Sequence, residues 1–425
     1  MILKSFYYTS ILFFLLIANN SWQNNSKYPD YFELVWTTIN QNFYDPSFEG
    51  IDWDKIYIKY KPIMSELNSD SLFYDKINRM LFELKVSHTG VIPPDYLPVV
   101  EPTTFAEGST GIDVRLINDQ AVITDVRKNS SADLSSIVPS LVLTAINGKG
   151  IKQIANERLN LLEPPFNKTH SITSEIQSRL YGDAGTRVEL KYQDNEGLEF
   201  TKVIERTQRN EIVNFGEGFP RSIIEFDASL IDDNIGYIRF NWFYPTISKD
   251  FGKVLQNFKN AQGIIIDLRG NPGGERHDAI AIAEMFVKTK TFAYTEQRRK
   301  EENKIYLNPV SNPFRGEIVI LVDIMSKSSS EFFAGCIQSI KRGIIIGEQT
   351  PGSAGPADFI ILPNGATFIY PYAKTILSDG MIIEGSGITP DIQCDIDLND
   401  LADGKDTQLE RAVNHLNKSI GKKNG

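Results

Sequence analysis

A run of serines stands at the start of a predicted helix in the second half of the sequence. It comprises Ser326, Ser328, Ser329 and Ser330, and Glu331 follows directly. Ser328 and Glu331 have the spacing of a capping box, in which the serine only satisfies backbone groups. A serine at a helix N-terminus also lies at the positive end of the helix dipole, where a developing oxyanion is favoured. The pattern therefore fits both a helix cap and a nucleophile.

A glycine pair follows another apolar run. Gly273 and Gly274 come shortly after the run Gly263 to Leu268, which reads as a buried strand. Two successive glycines leave backbone N–H groups that no Cβ shields, and such groups can bind an anion or an oxyanion. An ordinary glycine-rich turn would have the same sequence, so the glycine pair alone does not indicate an oxyanion site.

A serine nucleophile needs a base, and the chain contains four histidines. His415 falls on a predicted C-terminal helix and His170 in a polar loop, where both are expected to be solvated. His277 follows the glycine pair at the start of a helix. His88 directly follows Ser87 after a helical pattern, where a surface histidine is the alternative interpretation.

Elements that would position these residues can be read from hydrophobic periodicity. Residues 27–100 contain three helical patterns, the first with Phe32, Val35, Trp36, Ile39 and Phe43 on one face. The second runs from Trp53 to about Met64, and the third carries Phe73 and Ile77. These patterns predict a small helical region.

The rest of the chain changes period twice. Residues 105–208 alternate apolar and polar side chains, which predicts a β-rich module. Residues 220–400 alternate continuous apolar runs with amphipathic helices, which is typical of an α/β core with a largely parallel sheet covered on both faces. Residues 401–425 read as a helix and a polar tail, frayed from about Lys418.

Composition narrows the function classes. The formal net charge is −10, which argues against a nucleic-acid partner. Cys336 and Cys394 are the two cysteines, so a disulfide scaffold and a cysteine-based zinc site are not expected. The sequence gives no reason to predict a metal ion or another cofactor.

The N-terminus predicts export. Phe6 to Ala18 is an almost unbroken apolar run of about 13 residues, shorter than the ~20 residues of a membrane span. We expect residues 1–22 to be a signal peptide that directs the protein to the periplasm or the extracellular space. A buried N-terminal strand or helix is the alternative. No membrane span is expected beyond an uncleaved signal anchor.

Taken together, these motifs resemble the C-terminal processing peptidases, and more closely their tricorn-like branch. The resemblance covers about residues 28–396. It implies an N-terminal helical segment, an inserted PDZ-like domain and a ClpP/crotonase-like catalytic core, hence an α/β fold overall. The motifs that carry it, in chain order, are Leu84 to Thr89, Ile264 to Gly274, Ser328 to Glu331, Gly347 to Thr350 and Ile383 to Asp391.

The same resemblance implies the site residues. Peptidases of the main branch pair the nucleophilic serine with a lysine 25 residues later, but here that position is Ser353. The tricorn-like branch uses a Ser-His pair, a serine and a glutamate, which correspond to Ser87, His88, Ser328 and Glu384. Glu384 is expected in a loop after a strand around residues 366–377.

The roles implied are those of a serine peptidase. Ser328 would attack, His88 would be the base, and Ser87 with Glu384 would orient it. Backbone N–H groups of Ser329 and of the glycine pair would bind the oxyanion. An unperturbed histidine would put the acid limb of activity near pH ~6.5.

A resemblance to PDZ domains gives the β-rich module a role as well. Such domains capture a peptide C-terminus with backbone amides while the peptide joins a sheet edge, which implies Gly111, Ile112 and Asp113 here. The expected function is that of an exported serine endopeptidase that cleaves polypeptides near their C-termini. A non-catalytic ligand-binding protein on the same fold is the main alternative, and a crotonase-type acyl-CoA enzyme is a further one.

Overall fold

The protein is described from a computed structural model that covers residues 27–94, 96, 101–161, 167–209, 212–215, 221–232 and 234–424. The signal peptide predicted at residues 1–22 lies outside this part. Within it, no helix combines the length and apolar character that crossing a membrane requires.

The described residues form helices in three stretches of the chain. A short 3₁₀ turn, Phe48–Gly50, lies between the first helix and the second. The helices are α1 (Tyr28–Asn42), α2 (Trp53–Ser65), α3 (Asp70–Phe82), α4 (Pro102–Phe105), α5 (Ser131–Leu134), α6 (Ile151–Leu161), α7 (Lys168–Ser178), α8 (Ile247–Asn257), α9 (Arg276–Glu284), α10 (Ser329–Ser339), α11 (Leu398–Ala402) and α12 (Thr407–Asn424).

The strands form several small sheets and two large ones. They are β1 (Gly90–Ile92), β2 (Gly108–Ser109), β3 (Ile112–Ile117), β4 (Gln120–Val126), β5 (Val142–Ile146), β6 (Lys149–Gly150), β7 (Tyr181–Gly182), β8 (Arg187–Gln193), β9 (Glu199–Glu205), β10 (Thr207–Gln208), β11 (Ile212–Val213), β12 (Ser222–Ile223), β13 (Phe226–Ile231), β14 (Ile235–Phe240), β15 (Gly263–Asp267), β16 (Thr291–Arg298), β17 (Glu302–Leu307), β18 (Glu317–Val322), β19 (Ile344–Gly347), β20 (Ala357–Ile361), β21 (Thr367–Pro371), β22 (Ala373–Leu377) and β23 (Ile392–Gln393).

The three predicted N-terminal helices are confirmed as α1, α2 and α3. Side chains of Asp52 and Ser69 cap α2 and α3 by accepting backbone N–H groups of the first turn. The apolar faces of the three helices share one core, which also includes Phe368 and Tyr370 of β21. Because β1 pairs with β21, the helical region is built partly from residues far along the chain, and its core does not stop at residue 100.

The β-rich module is a sheet in the order β3-β4-β5-β8-β9, against which α6 and α7 pack. Its inward side chains, among them Ile112, Val114 and Leu190, are fully buried. Asn147 and Gly148 both have positive φ angles in the tight turn between β5 and β6, as expected for an Asn-Gly hairpin.

The central sheet has the order β13-β14-β15-β18-β19-β23. Every pairing from β14 onward is parallel, and β13 joins the edge antiparallel, so the prediction of a largely parallel sheet is confirmed. Ile264 and Ile266 of β15 face a core shared with α8, α9 and α10, whereas Ile265 faces Leu416 of α12. Both faces of the sheet are therefore covered.

Two expectations about the C-terminal quarter were wrong. Residues 366–377 are not one strand, because β21 pairs with β1 and β20 whereas β22 pairs with β16 in another sheet. The residues from Lys418 onward do not form a separate tail, because α12 continues to Asn424.

A buried ion pair joins the β-rich module to the central sheet. The guanidinium of Arg115, on β3, contacts Asp323 Oδ2 through Nε and Nη2, both at 2.7 Å, and both side chains are less than a tenth exposed. Burial alone would raise the pKa of Asp323, but the charge and hydrogen bond of Arg115, the Gly270 N–H and the charge of Arg269 together outweigh it, and the pKa lies below its ordinary value. Asp323 also accepts the N–H of Gly270, so the module is connected directly to the turn after β15.

Replacing Arg115 with Met should lower the free energy of unfolding by about 3–5 kcal/mol, because it leaves the Asp323 carboxylate buried without its counter-ion. Chemical denaturation followed by fluorescence would measure the loss. The matched control is Arg127→Met, since the Arg127–Glu225 pair is about half exposed on the arginine side. That control should cost about 1 kcal/mol or less. Equal losses in the two variants would contradict the conclusion that the buried Arg115–Asp323 pair stabilises the fold more than the exposed pair does.

Candidate active site

The glycine turn and the serine run meet because their strands are neighbours. β15 and β18 pair in parallel, with Asp267 opposite Leu321, so both chains leave the sheet at the same edge. Asn271, in the turn after β15, is fully buried and joins the two. Its Oδ1 accepts the Ser330 hydroxyl at 2.9 Å, and its carbonyl oxygen accepts the Lys327 N–H at 3.1 Å.

Ser328 occupies the N-cap position of α10 in an unusual backbone conformation. Its φ is 55° and its ψ is −119°, a combination that costs a non-glycine residue about 1–3 kcal/mol. Two contacts hold it: the Ser328 N–H donates to the carbonyl oxygen of Ser353 at 2.8 Å and to Glu331 Oε2 at 3.1 Å. The turn therefore presents the Ser328 hydroxyl at the edge of the sheet.

The four residues implied by the family resemblance form one continuous hydrogen-bonded chain. Ser328 Oγ lies 3.0 Å from His88 Nε2, and His88 Nδ1 lies 2.7 Å from Ser87 Oγ. Ser87 Oγ donates to Glu384 Oε2 at 2.8 Å, and the Ser87 N–H donates to Glu384 Oε1 at 2.6 Å. Residues 297 positions apart in sequence are thus in direct contact.

The donors and acceptors around His88 determine its tautomer. A carboxylate only accepts, so Ser87 must use its one hydroxyl proton toward Glu384. Ser87 Oγ then has only lone pairs for His88 Nδ1, which must carry the proton. The other ring nitrogen, Nε2, is left with a free lone pair toward the hydroxyl of Ser328. This is the arrangement that a general base requires.

Burial keeps His88 neutral. It lowers the pKa of His88 from its ordinary value of 6.5 to about 4, because the charged imidazolium is poorly solvated inside the protein. The charge of Glu384 raises the pKa, and the charges of Lys327 and Arg276 lower it further. The sequence-based value near 6.5 is therefore too high.

Glu384 is held from both sides. Besides Ser87, its Oε2 accepts the N–H groups of Ala354 at 3.1 Å and Gly355 at 2.9 Å. Glu384 lies in a turn after β22, and the segment that donates these bonds precedes β20. The carboxylate therefore links Ser87 to a backbone segment that also contacts Ser328.

The two glycines of the pair differ in whether their N–H groups already have an acceptor. The Gly273 N–H donates to Asn271 Oδ1 at 2.9 Å, which counts against Gly273 as an oxyanion donor. Across the part of the chain that the structure describes, the N–H groups of Gly274 and Ser329 have no acceptor. A Cβ on Gly273 would lie 2.6 Å from Cβ of Ser328 and 2.8 Å from the Ser329 nitrogen, so only glycine fits beside the serine.

The other histidines lie apart from this chain of contacts. His277 is exposed in the first turn of α9. His415 lies on α12, as expected, with Nε2 3.4 Å from the Ser419 hydroxyl. The expectation of a solvated loop for His170 was wrong: it lies on α7, and burial of its ring lowers the pKa to about 3.

Glu331 has a larger role in the site than capping. Its buried carboxylate accepts the N–H groups of Ser328, Gly352 at 2.7 Å and Ser353 at 2.8 Å, and the Thr350 hydroxyl at 2.5 Å. Burial nevertheless raises its pKa to about 7. The spacing from Ser328 was a usable signal for the contact with Ser328, but the sequence analysis did not relate Glu331 to residues 350–353.

The residues implied for peptide capture are already engaged within the chain. The Gly111 N–H donates to the Ser109 hydroxyl at 3.0 Å. Gln177, on α7, bonds the free edge of β3, accepting the Val114 N–H at 2.8 Å and donating to the Ile112 carbonyl oxygen at 2.9 Å. It also donates to Asp113 Oδ1 at 3.0 Å. A peptide strand would have to displace Gln177, so these contacts count against peptide binding at Gly111, Ile112 and Asp113.

Comparisons with known proteins agree with this architecture. Residues 234–394 match the sequence model of peptidase family S41, and residues 25–82 match the model of the tricorn protease C1 domain. A carboxyl-terminal-processing protease of Synechocystis sp. is 25% identical over 389 residues, which are 90% of this chain and 85% of that protein. Carboxyl-terminal-processing peptidase 3, chloroplastic, of Arabidopsis thaliana is 25% identical over 374 residues, 85% of this chain and 67% of that protein.

Solved structures share the fold at low sequence identity. The photosystem II D1 C-terminal processing protease superposes with a TM-score of 0.58 at 19% identity, covering 87% of this chain and 94% of that one. Mature CPAF superposes with a TM-score of 0.61 at 14% identity, covering 88% of this chain and 94% of that one. The chain therefore has the mixed α/β fold of these peptidases, carries a peptidase family S41 domain at residues 234–394 and is a serine-type hydrolase.

Proposed function

We propose that the protein is an exported serine endopeptidase that hydrolyses polypeptides close to their C-termini, with Ser328 as the nucleophile. The observation that carries the proposal is the unbroken chain of contacts from Glu384 through Ser87 and His88 to Ser328, each 3.0 Å or shorter. Cleavage near C-termini is proposed because the relatives named above are carboxyl-terminal-processing enzymes. Export rests on the apolar run at residues 6–18.

In the first half of the reaction His88 acts as the base. Its Nε2 takes the hydroxyl proton of Ser328 while Oγ bonds to the carbonyl carbon of the scissile peptide, and the carbonyl oxygen becomes an oxyanion. The N–H groups of Gly274 and Ser329 are free to bind that oxyanion. His88 then gives the proton to the amine nitrogen, the C–N bond breaks, and an ester to Ser328 remains.

The second half repeats these roles with water. His88 takes a proton from water, whose oxygen attacks the ester carbon, and the tetrahedral oxyanion occupies the same N–H groups. Collapse breaks the bond to Ser328 Oγ, which regains its proton from His88 and releases the new carboxyl terminus. In both halves the Nδ1–H of His88 stays bonded to Ser87, and Glu384 offsets the positive imidazolium charge.

The lysine base of the main branch has no counterpart in this proposal. At the corresponding position, Ser353 contributes backbone groups only, accepting the Ser328 N–H through its carbonyl oxygen and donating its own N–H to Glu331. Lys327, next to the nucleophile, pairs with Glu101 at 2.5 Å. The base is therefore assigned to His88, which approaches Ser328 from the N-terminal helical region.

Replacing Ser328 with Ala should lower kcat on the order of 10⁴-fold or more, because the nucleophile is lost while the fold is kept. Hydrolysis of an internally quenched peptide would measure the loss, and a fluorophosphonate probe should label the unaltered protein at Ser328. The control is Ser339→Ala, a serine at the far end of α10 whose hydroxyl bonds only the Cys336 carbonyl oxygen. Full activity in Ser328→Ala would overturn the assignment.

The pH profile of kcat/KM should keep its plateau well below pH 6 and fall only near pH 4. The reason is the sign of the shift: burial disfavours imidazolium, so His88 stays neutral and able to accept a proton down to its pKa of about 4. His88→Ala should remove the activity, whereas His277→Ala, which alters an exposed residue, should keep it. An inflection near pH 6.5 would show that the base is not desolvated in this way.

Glu384→Gln and Ser87→Ala should each reduce kcat/KM by less than Ser328→Ala, since nucleophile, base and oxyanion donors remain. The double variant should be little worse than either single variant, because both residues act through one hydrogen-bonded chain to His88. A double-mutant cycle measures the coupling. Fully additive losses would mean that the two residues act independently, which would contradict a single hydrogen-bonded chain from Glu384 through Ser87 to His88.

A further inference from the structure

Arg276 lies beside the candidate site and has no role in the reaction described above. It is the first residue of α9, directly after the glycine turn and Glu275. Its guanidinium carbon lies 3.9 Å from the centre of the Phe332 ring and 4.8 Å from that of Tyr294. Nη2 donates to the Thr375 hydroxyl at 2.8 Å. Two aromatic faces and a hydroxyl thus fix the cation in place.

This cation has no anionic partner in the part of the chain that the structure describes. No carboxylate pairs with Arg276, and its Nε, which is shielded from solvent, has no hydrogen-bond acceptor. Other enclosed arginines have stronger acceptors. Arg115 and Arg269 pair with carboxylates. Among the described residues Arg206 and Arg342 have no carboxylate partner, but each donates to backbone carbonyl oxygens. Because a shielded charge is normally paired, an unpaired one at a peptidase site indicates an anionic ligand.

The position of Arg276 places such a ligand next to the scissile bond. Phe332, over which it stacks, lies one helical turn after Ser328, and the Phe332 N–H donates to the Ser328 carbonyl oxygen at 2.9 Å. Gly273, three residues before Arg276, abuts Cβ of Ser328. The positive charge is also close enough to His88 to lower its pKa.

We propose that Arg276 binds a carboxylate of the peptide substrate within reach of the scissile bond. The inference rests on the proposed function and adds a substrate class to it. The carboxylate has two possible sources, an aspartate or glutamate side chain flanking the cleaved bond and the C-terminal carboxylate of a bond cut near the chain end. Arginine suits either source, since its planar fork can donate two parallel hydrogen bonds to a carboxylate.

Internally quenched peptides that differ at one position test the proposal. One pair carries Asp or Asn beside the scissile bond, and another ends in a free carboxylate or an amide, with cleavage sites mapped by mass spectrometry. The unaltered protein should prefer the carboxylate member of at least one pair by roughly 10- to 100-fold in kcat/KM, the size expected for a charge-assisted hydrogen bond. Preference in the first pair identifies a side chain, and preference in the second the chain end.

Variants connect the preference to this residue. Arg276→Gln should abolish it, and Arg276→Lys should retain part of it as a point charge. The matched control is Arg299→Gln, which alters an arginine that also stacks on an aromatic ring, Phe48, and bonds the Phe43 carbonyl oxygen. That control should keep the full preference. No preference in the unaltered protein, or an unchanged one in Arg276→Gln, would overturn the proposal.

Binding to the inactive protein separates this inference from the proposed function. Fluorescence anisotropy would compare the same uncleaved peptides on Ser328→Ala and on Ser328→Ala combined with Arg276→Gln. We expect Ser328→Ala to bind the carboxylate peptides more tightly than their Asn or amide counterparts, and Arg276→Gln to remove this difference. That result supports the carboxylate site even if hydrolysis is never observed. Equal binding of all peptides to both proteins contradicts it, whether or not Ser328 proves to be the nucleophile.

Discussion

The buried side chain of Asn271 is the interaction on which the geometry of the site depends. Its Nδ2 donates to the Phe240 carbonyl oxygen at 2.9 Å, while Oδ1 accepts both the Gly273 N–H and the Ser330 hydroxyl. One amide therefore joins β14, the glycine turn and the first turn of α10. Because these bonds are enclosed, they fix the Ser328 turn relative to the oxyanion donors more tightly than a surface contact could. The parallel register of β15 and β18 brings the turns together, and Asn271 sets their spacing.

Two carboxylates then position the remaining parts around one backbone segment. Glu331 accepts bonds from Thr350, Gly352 and Ser353, and Glu384 accepts bonds from the next two residues of that segment. Glu331 also holds the Ser328 N–H, and Glu384 holds Ser87. Residues 350–355 thus connect the nucleophile to the partner of the base. Several N–H donors on each carboxylate offset part of the loss of its hydration, which is otherwise a large penalty.

Sequence periodicity was sufficient for α1 to α3 and for the parallel sheet, because amphipathic faces and continuous apolar runs are local signals. It was not sufficient for the site. Ser328 alone favoured a helix cap, and only the family resemblance related it to His88 and Glu384. What could not be predicted depends on contacts distant in sequence: the Gly273 N–H taken by Asn271, the lowered pKa of His88, and Arg276, whose missing counter-ion is visible only in three dimensions.

The electrostatic balance at His88 joins the proposed mechanism to the inferred substrate. A base with a pKa far below the working pH is always deprotonated but accepts a proton weakly, so a value nearer neutrality would serve catalysis better. Arg276 is one of two cations that lower this pKa in the free protein, while Glu384 raises it. A peptide carboxylate bound to Arg276 would neutralise that cation. The Glu384 charge would then act with less opposition, and His88 would become a stronger base only when substrate is in place. Burial, the largest cause of the lowered pKa, would remain, so the rise in the pKa of His88 on substrate binding would be a partial one.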